Sequence, residues 1–395
     1  MAITDKEKGV WGLDQVYNKI NQGSIWNYQV GTMWAWGRNQ YGQLGQNQPS
    51  NSHLSSPVQI GSDATWAITE FGLSRTAGYT AVVVKSDGTL WSWGDNGEGG
   101  SAQNNRTDYS SPVQIPGTTW KLVVNPTNTS GQSVFGIKTD GTLWGWGNNQ
   151  YGALGQNNTT TISSPIQVGS DTTWKGVASG DNVSGATKTD GTLWMWGRNN
   201  SGQLAQNNTT NPGGVSSPIQ IPGTSWNHVY SGYGYFYGTK TDGTLWSWGG
   251  GTYGSLGQNQ ATAKYSSPTQ IPGTTWQQVS SGNNFSIAIK TDGTMWAWGY
   301  NDKGALGVLD SHDAGNNYSS PVQIPGTNWI WASAVPNDSA AFALKSDNTL
   351  WSWGHNGPGQ LGQNNRTDRS SPTQVPGTWS GVVGQYQGVY AFKNV

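Results

Sequence analysis

A lysine with an aspartate two residues on is the most frequent pairing of chemically capable side chains in this chain. It occurs at Lys85, Lys138, Lys188, Lys240, Lys290 and Lys345. An acid and a base so close could exchange a proton or grip a polar ligand, but chemistry rarely needs six near-equal copies. The Asp-Gly that follows in five of them favours a tight primed turn, because glycine tolerates positive φ and aspartate bonds its own backbone. On this reading the lysines, with Lys393, form a ring, and each aspartate balances its lysine locally at an exposed turn. The alternative use of such a ring is contact with an anion. The four histidines, His53, His228, His312 and His355, add little. Only His312 has close acidic neighbours, Asp310 and Asp313, and three ligands in a glycine-flanked run fall short of a coordination site. There is no cysteine, no Ser/His/Asp order and no glycine-rich phosphate loop. Glutamate is scarce, so paired acids for glycoside cleavage would have to be turn aspartates. The chain reads as a non-enzyme without metal or cofactor.

The lysine pairing belongs to a longer unit, KTDGTMWAWG at residues 290–299. Close copies begin at Lys85, Lys138, Lys188, Lys240 and Lys345, and a seventh, GTMWAWG, opens at Gly31 without its Lys-x-Asp. Seven copies spaced by 50 to 57 residues define a repeat architecture. Each unit is a hairpin: an apolar run such as SIAIK (286–290), the turn, then Trp-x-Trp-Gly. Alternation along a strand puts the two tryptophans on one face and the middle residue on the other. The pairs are Trp34 and Trp36, Trp91 and Trp93, Trp144 and Trp146, Trp194 and Trp196, Trp246 and Trp248, Trp296 and Trp298, and Trp351 and Trp353. The middle residue is small except at Met195. A large face meeting a small face lets twisted sheets stack closely, which assigns these tryptophans a structural role.

The order within each unit is constant. After Trp-x-Trp-Gly (strand C) come a Gly/Asn/Gln loop, a Ser-Ser-Pro-x-Gln strand (D) and a short turn. A third tryptophan then opens strand A, and the strand ending in lysine (B) closes the unit. Four strands per unit and seven units imply an all-β fold, a seven-bladed β-propeller of four-stranded antiparallel blades. GVYAFK (388–393) matches strand B and the GTMWAWG at residue 31 matches strand C. The two termini are therefore expected to share one blade and close the ring, making residues 31–395 one body.

Residues 1–30 form a separate extension. Leu13, Val16, Tyr17 and Ile20 fall on one face of a short helix, bracketed by Trp11 and Trp26. A helix of roughly ten residues is marginal alone and must dock, either under its own propeller or on another protein. Overall composition bounds the partners. Only 10% of residues are charged and the formal net charge is −1, which leaves no electrostatic footprint for nucleic acid. No apolar run approaches membrane-spanning length, and the start, MAITDKEKG, lacks the apolar core of a secretory signal.

Trp-x-Trp-Gly, then Gly-x-Leu-Gly (Gly42–Gly45, Gly152–Gly155, Gly359–Gly362), then proline and a short strand resembles the repeats of the regulator of chromosome condensation family. The resemblance covers about nine-tenths of the chain. It implies a propeller that works by binding, since the family includes a nucleotide exchange factor and a β-lactamase inhibitory protein. The chain departs from the pattern at 99–102, Gly-Gly-Ser-Ala, and at Ala205. The leader GVWGLDQVYNKINQGSIW (9–26) is similar to short leading segments on structural proteins of tailed bacteriophages.

Loop lengths separate two faces. From Lys to the first Trp the count is six in every complete unit, and from Pro to the third Trp it is seven to nine. From the Trp-x-Trp-Gly glycine to Ser-Ser-Pro it runs from 16 to 20, and from the third Trp to Lys from 14 to 19. Length change thus concentrates on the face of the A–B and C–D loops, where a rigid scaffold would present contacts. Candidate contact residues there are His53, Phe71, Tyr79, Tyr151, Tyr253, Tyr300 and His312. The expectation is a virion protein of a phage, in its tail or associated with its capsid. It is made in the host cytoplasm and anchored to other virion proteins through Trp11, Leu13, Val16, Tyr17, Ile20 and Trp26. Its loops would meet a host surface protein or glycan. The alternatives are a saccharide-binding module and a cytoplasmic protein-interaction propeller.

Overall fold

The structure is a computed structural model that describes residues 29–48, 51–68, 79–125, 133–209, 214–308, 316–336 and 338–394. The leader residues through 28, Phe71 and His312 lie outside the described residues. Within them, seven sheets succeed one another along the chain as blades of a β-propeller. Six contain an antiparallel meander in the order A-B-C-D, as in Trp276–Ser281, Phe285–Lys290, Met295–Gly299 and Tyr318–Ile324, and the seventh pairs strands B-C-D, Thr80–Val84, Leu90–Gly94 and Tyr109–Ile115. Register fixes which faces meet: Ser286 lies opposite Trp298, Ile287 opposite Ala297 and Ala288 opposite Trp296.

The Asp-Gly hairpin is built differently from the expected primed turn. Lys290 O accepts the amide of Gly293 at 3.0 Å, and of Asp292 and Gly293 only the glycine has positive φ, +77°. This is a three-residue connection ending in a left-handed bulge, one of the favoured hairpin solutions. In the sixth copy Asn348 takes the same position at φ 64°, as asparagine tolerates that region better than other non-glycine residues.

Blades stack large face on small. Between the Phe285–Ile324 and Trp329–Val375 blades, Met295, Ala297 and Ile287 of one meet Trp329, Ala343 and Trp353 of the next. The second tryptophan of every pair is fully buried. Its indole N–H donates to a backbone carbonyl in the Gly-x-Leu-Gly turn of the preceding blade, as from Trp93 to Gln43 (2.9 Å), Trp248 to Gln203 (2.9 Å) and Trp353 to Ala305 (2.9 Å). That turn is held in place by a buried asparagine: the Asn149, Asn199 and Asn356 side-chain oxygens accept the amides of Leu154, Leu204 and Leu361. At the two departures from the motif the backbone is unchanged. Ala102 and Ala205 both sit at φ 54°, where glycine sits in other copies, a conformation that costs an alanine about 1–2 kcal/mol. Met195 is accommodated by its cross-strand neighbour: Gly185 lies opposite it, and a Cβ there would collide with the Met195 sulfur. The small residue has moved to strand B, so the volume of the pair is kept.

The ring closes as the terminal sequences imply. Gly31–Gly37 pairs residue for residue with Gly388–Asn394, in a sheet completed by Leu54–Gln59 and Gly381–Gln385. The Trp36 indole donates to Gln360 O of the sixth complete blade at 2.7 Å, so the blade-to-blade bond runs unbroken across the junction. One blade varies. Its innermost strand, Trp66–Ile68, meets strand Thr80–Val84 only at the Trp66–Lys85 bridge and pairs along Gln29–Gly31 instead. The chain entering the propeller thereby ties the closing blade to its neighbour.

Candidate functional site

Each face is assembled from one kind of connection. The constant face carries the B–C hairpins and D–A turns. Strand pairing brings the third tryptophan of each unit beside its lysine: Trp120 opposite Lys138, Trp276 opposite Lys290, Trp329 opposite Lys345. The hairpin brings in the first tryptophan of the pair. Every lysine of the ring therefore sits between two indoles. Lys138 Nζ is 3.9 Å from the Trp144 ring and 5.0 Å from Trp120; Lys290 Nζ is 4.6 Å from both Trp276 and Trp296; Lys393 is 4.2 Å from Trp34 and 4.5 Å from Trp379. Such contacts are worth roughly 0.5–2 kcal/mol each, more when desolvated.

The aspartate two residues on is engaged elsewhere, which corrects the local-balance reading. Asp292 accepts the amide and hydroxyl of Thr294, and the Thr294 hydroxyl accepts the Trp296 indole N–H. The same relay recurs at Asp87, Asp140, Asp190, Asp242 and Asp347. These carboxyls are held below the usual range chiefly by their threonine, with the lysine contributing less. Two lysines do have a carboxylate, from another source. Lys188 pairs with Asp171 at 2.5 Å and Lys85 with Asp63, both in Gly-Ser-Asp turns that replace the Pro-Gly-Thr of the other units. The Lys188 and Thr173 hydrogen bonds pull Asp171 down to about 2.

The variable face is less regular. Tyr79 packs against Tyr41 (4.4 Å between ring centres) and Tyr386 (5.0 Å), with the Arg38 guanidinium 5.5 Å from the Tyr386 ring. Burial and the Tyr386 phenol push Tyr79 up to about 12. Tyr253, 45% exposed, packs on Tyr300 of the next blade at 4.4 Å. Tyr151 lies under Arg198 at 5.3 Å, and Arg198 also pairs with Asp181 at 3.2 Å. His53 accepts the Asn39 amide within its own loop at 3.2 Å. Burial, then Arg38 and Arg366, lower its pKa. The structure thus joins Tyr253 to Tyr300 and gives Tyr79 and Tyr151 aromatic or cationic neighbours, while His53 belongs to its loop.

Sequence reading missed Arg38, Arg198, Tyr233, Tyr386 and the buried Asp338. The His355 ring bonds Asp338 at 2.8 Å, and Gln360 donates to the other carboxylate oxygen at 3.1 Å. The Asp338 bond raises the His355 pKa against the effect of burial. A usable signal existed. The residue after each Trp-x-Trp-Gly is Arg38, Asp95, Asn148, Arg198, Gly250, Tyr300 and His355, the most varied position beside an otherwise constant motif. It faces the loop of the preceding blade: Asn148 donates to Glu98 at 3.4 Å, and a Cβ on Gly250 would lie 2.8 Å from Ser201 Cβ.

This geometry is that of a known class. The RCC1-like domain matches residues 32–391, and the chain belongs to that family. Among solved structures, yeast Prp20p (Saccharomyces cerevisiae) superposes with a TM-score of 0.78 at 16% identity, covering 93% of this chain and 92% of its own. The yeast RCC1 (Prp20) structure with bound Kap60 gives 0.79 at 16% identity, covering 94% and 91%. Human WBSCR16 gives 0.76 at 18% identity, covering 92% and 99%. At these identities the likeness is one of fold.

Proposed function

We propose that this protein is a non-enzymatic binding propeller that receives a protein partner on its variable face. The observation that carries the reading is the aromatic and arginine set on the variable loops: exposed Tyr233 and Tyr253, and half-buried Tyr300, Tyr41, Tyr79 and Arg38. Tyr233 is 42% and Tyr253 45% exposed. Tyrosine and arginine are the residues most enriched at protein interfaces, because they bury large area and still satisfy their polar ends. Family membership agrees: the solved yeast relative is described by its binding to Gsp1p and histones, and in a second structure by its complex with Kap60.

The finer reading places the chain in a phage particle, held by residues 1–28 and by the face from which the first strand enters, with the variable loops turned outward. A cytoplasmic interaction propeller has the same geometry and fits the family as well. One experiment addresses both levels. A photo-crosslinking amino acid is placed at Tyr253 on the variable face or at Asp242 on the constant face, in the full chain and in a chain lacking residues 1–28, within the natural setting. Adducts from position 253 but not 242 support the face assignment; the reverse pattern overturns it. Loss of the shortened chain from particles, with its folding intact, supports the virion reading. Unchanged incorporation removes it.

A further inference from the structure

The lysine ring contains an internal comparison. Two of its seven members carry a carboxylate from their own chain, Asp63 on Lys85 and Asp171 on Lys188. For Lys138, Lys240, Lys290, Lys345 and Lys393 no carboxylate of the described residues lies within ion-pair distance. The difference is written in the D–A turn. Where Gly-Ser-Asp occupies the link, proline to tryptophan spans nine residues; where Pro-Gly-Thr does, it spans seven or eight. A groove lies beside the ammonium in either kind of unit, and at Lys85 it holds about 380 Å³ with Asp63 in its lining. At Lys138 it holds about 360 Å³ between Trp120, Trp144 and Pro165 of one blade and Gln103, Asn104 and Pro116 on the side of the preceding one. At Lys290 it holds about 380 Å³, lined in the same way by Trp276, Trp296, Gln258, Asn259 and Pro321.

The floor of the groove is a glycine that lies close to two donors. A Cβ on Gly273 would lie 3.5 Å from Lys290 Nζ and 3.6 Å from Trp276 Nε1; one on Gly326 would lie 3.8 Å from Lys345 Nζ and 3.5 Å from Trp329 Nε1. The indole N–H groups of Trp120, Trp276 and Trp329 are buried with no acceptor, as are those of Trp66 and Trp174 in the two units that carry Asp63 and Asp171, a condition that costs free energy wherever it occurs. Those of Trp226 and Trp379 reach the Pro222 and Pro376 carbonyls at 3.4 and 3.2 Å. Each ammonium is held by two indole faces, so little ordering remains to be done when an anion docks.

We infer that Lys138, Lys240, Lys290, Lys345 and Lys393 mark carboxylate-binding sites, each paired from outside as Asp63 and Asp171 pair with Lys85 and Lys188, and that their ligand is an acidic polysaccharide bearing uronic acid units. The groove takes one sugar-sized group and is walled by indole, amide and hydroxyl. Ser320, for instance, donates to Asn259 at 3.4 Å on its rim. Near-identical sites around a ring match a polymer that repeats one carboxylate per unit, whereas a folded protein presents its acids irregularly. The inference rests on the constant face and stands apart from the reading of the variable one.

Binding of the full chain to polygalacturonate, dextran and poly-L-glutamate tests it. Polygalacturonate is expected to bind, to weaken as salt rises from 50 to 300 mM as charge contacts do, and to lose about tenfold in affinity in Lys138→Met/Lys290→Met, as charge-assisted hydrogen bonds are removed. Near-ultraviolet circular dichroism checks the fold of that variant. Asp63→Asn/Asp171→Asn, which frees Lys85 and Lys188 of their own carboxylates, is expected to strengthen binding, a gain that no folding defect imitates. Polygalacturonate binding no better than dextran, or insensitive to both variants, overturns the inference. Poly-L-glutamate binding equally well with the same lysine dependence overturns the sugar and assigns the grooves to acidic peptides.

Discussion

On the constant face, seven lysines lie 3.9 to 5.0 Å from fourteen indole rings. On the variable face, the described boundaries carry an arginine–tyrosine cluster, an Arg198–Tyr151 stack, a Tyr253–Tyr300 pair and a His355–Asp338 bond. The same strands end in both. What differs is how many partners each connection must satisfy. A B–C turn has to deliver one lysine to two rings and one threonine to an aspartate and an indole, so its length is fixed. A C–D loop meets its obligations once its asparagine and Gly-x-Leu-Gly are placed, and its remaining residues can change freely.

The largest effect is expected where the two faces share framework. Trp298→Ala removes a fully buried indole and its bond to Ser255 O, and should cost about 3–5 kcal/mol in urea unfolding. Trp36→Ala at the closing blade should cost as much; a loss under 1 kcal/mol at either site would show that the blade-to-blade bond is dispensable. Next, Gly185→Val should cost about 1–3 kcal/mol by overpacking against Met195, and Met195→Ala should restore much of it. No rescue would mean that the pair does not share one volume.

Two histidines sharpen the comparison by opposite pH responses. Burial holds His228 at about 4. Its folded pKa lies below its unfolded value of about 6.5, so the unfolded chain takes the proton first and stability falls as pH drops from about 6.5 toward 4. His355 has a raised folded pKa, so the stability it contributes is complete below pH 6.5 and is lost as pH rises through the folded value. Melting His228→Gln and His355→Gln variants across pH 4–8 should remove one slope each; slopes unchanged by the substitutions would assign the pH dependence to other groups. The smallest effect is expected at the exposed variable loops: Tyr253→Ala should shift stability by no more than about 0.5 kcal/mol. A larger loss would make the Tyr253–Tyr300 stack part of the framework and weaken its assignment to a partner.

The fold was legible because it is written seven times. Trp-x-Trp, Asp-Gly and Ser-Ser-Pro are local signals, and the strand content of GVYAFK and GTMWAWG foretold the shared blade. The lysine environment was not legible in the same way. Lys290 and Trp276 are fourteen residues apart and meet only through strand register, so the adjacent Asp292 looked like the natural partner while its threonine held it. Met195 looked exceptional because its compensation, Gly185, lies on another strand. The tyrosines of the C–D loops were found by composition, but Arg38 and Tyr386 act across the junction of the two chain ends, which no local pattern joins.

The pairing of Gly31–Gly37 with Gly388–Asn394 also sets a clock. During synthesis the opening strand is among the first propeller segments to leave the ribosome, and its partner is the last, about 350 residues later. At elongation rates of roughly 5–20 residues per second, that strand waits on the order of 20–70 seconds with a bare edge and two tryptophans unclaimed. The nascent chain is most open to capture by chaperones, or by a neighbouring copy, in that interval, and slower translation of its final blades lengthens it.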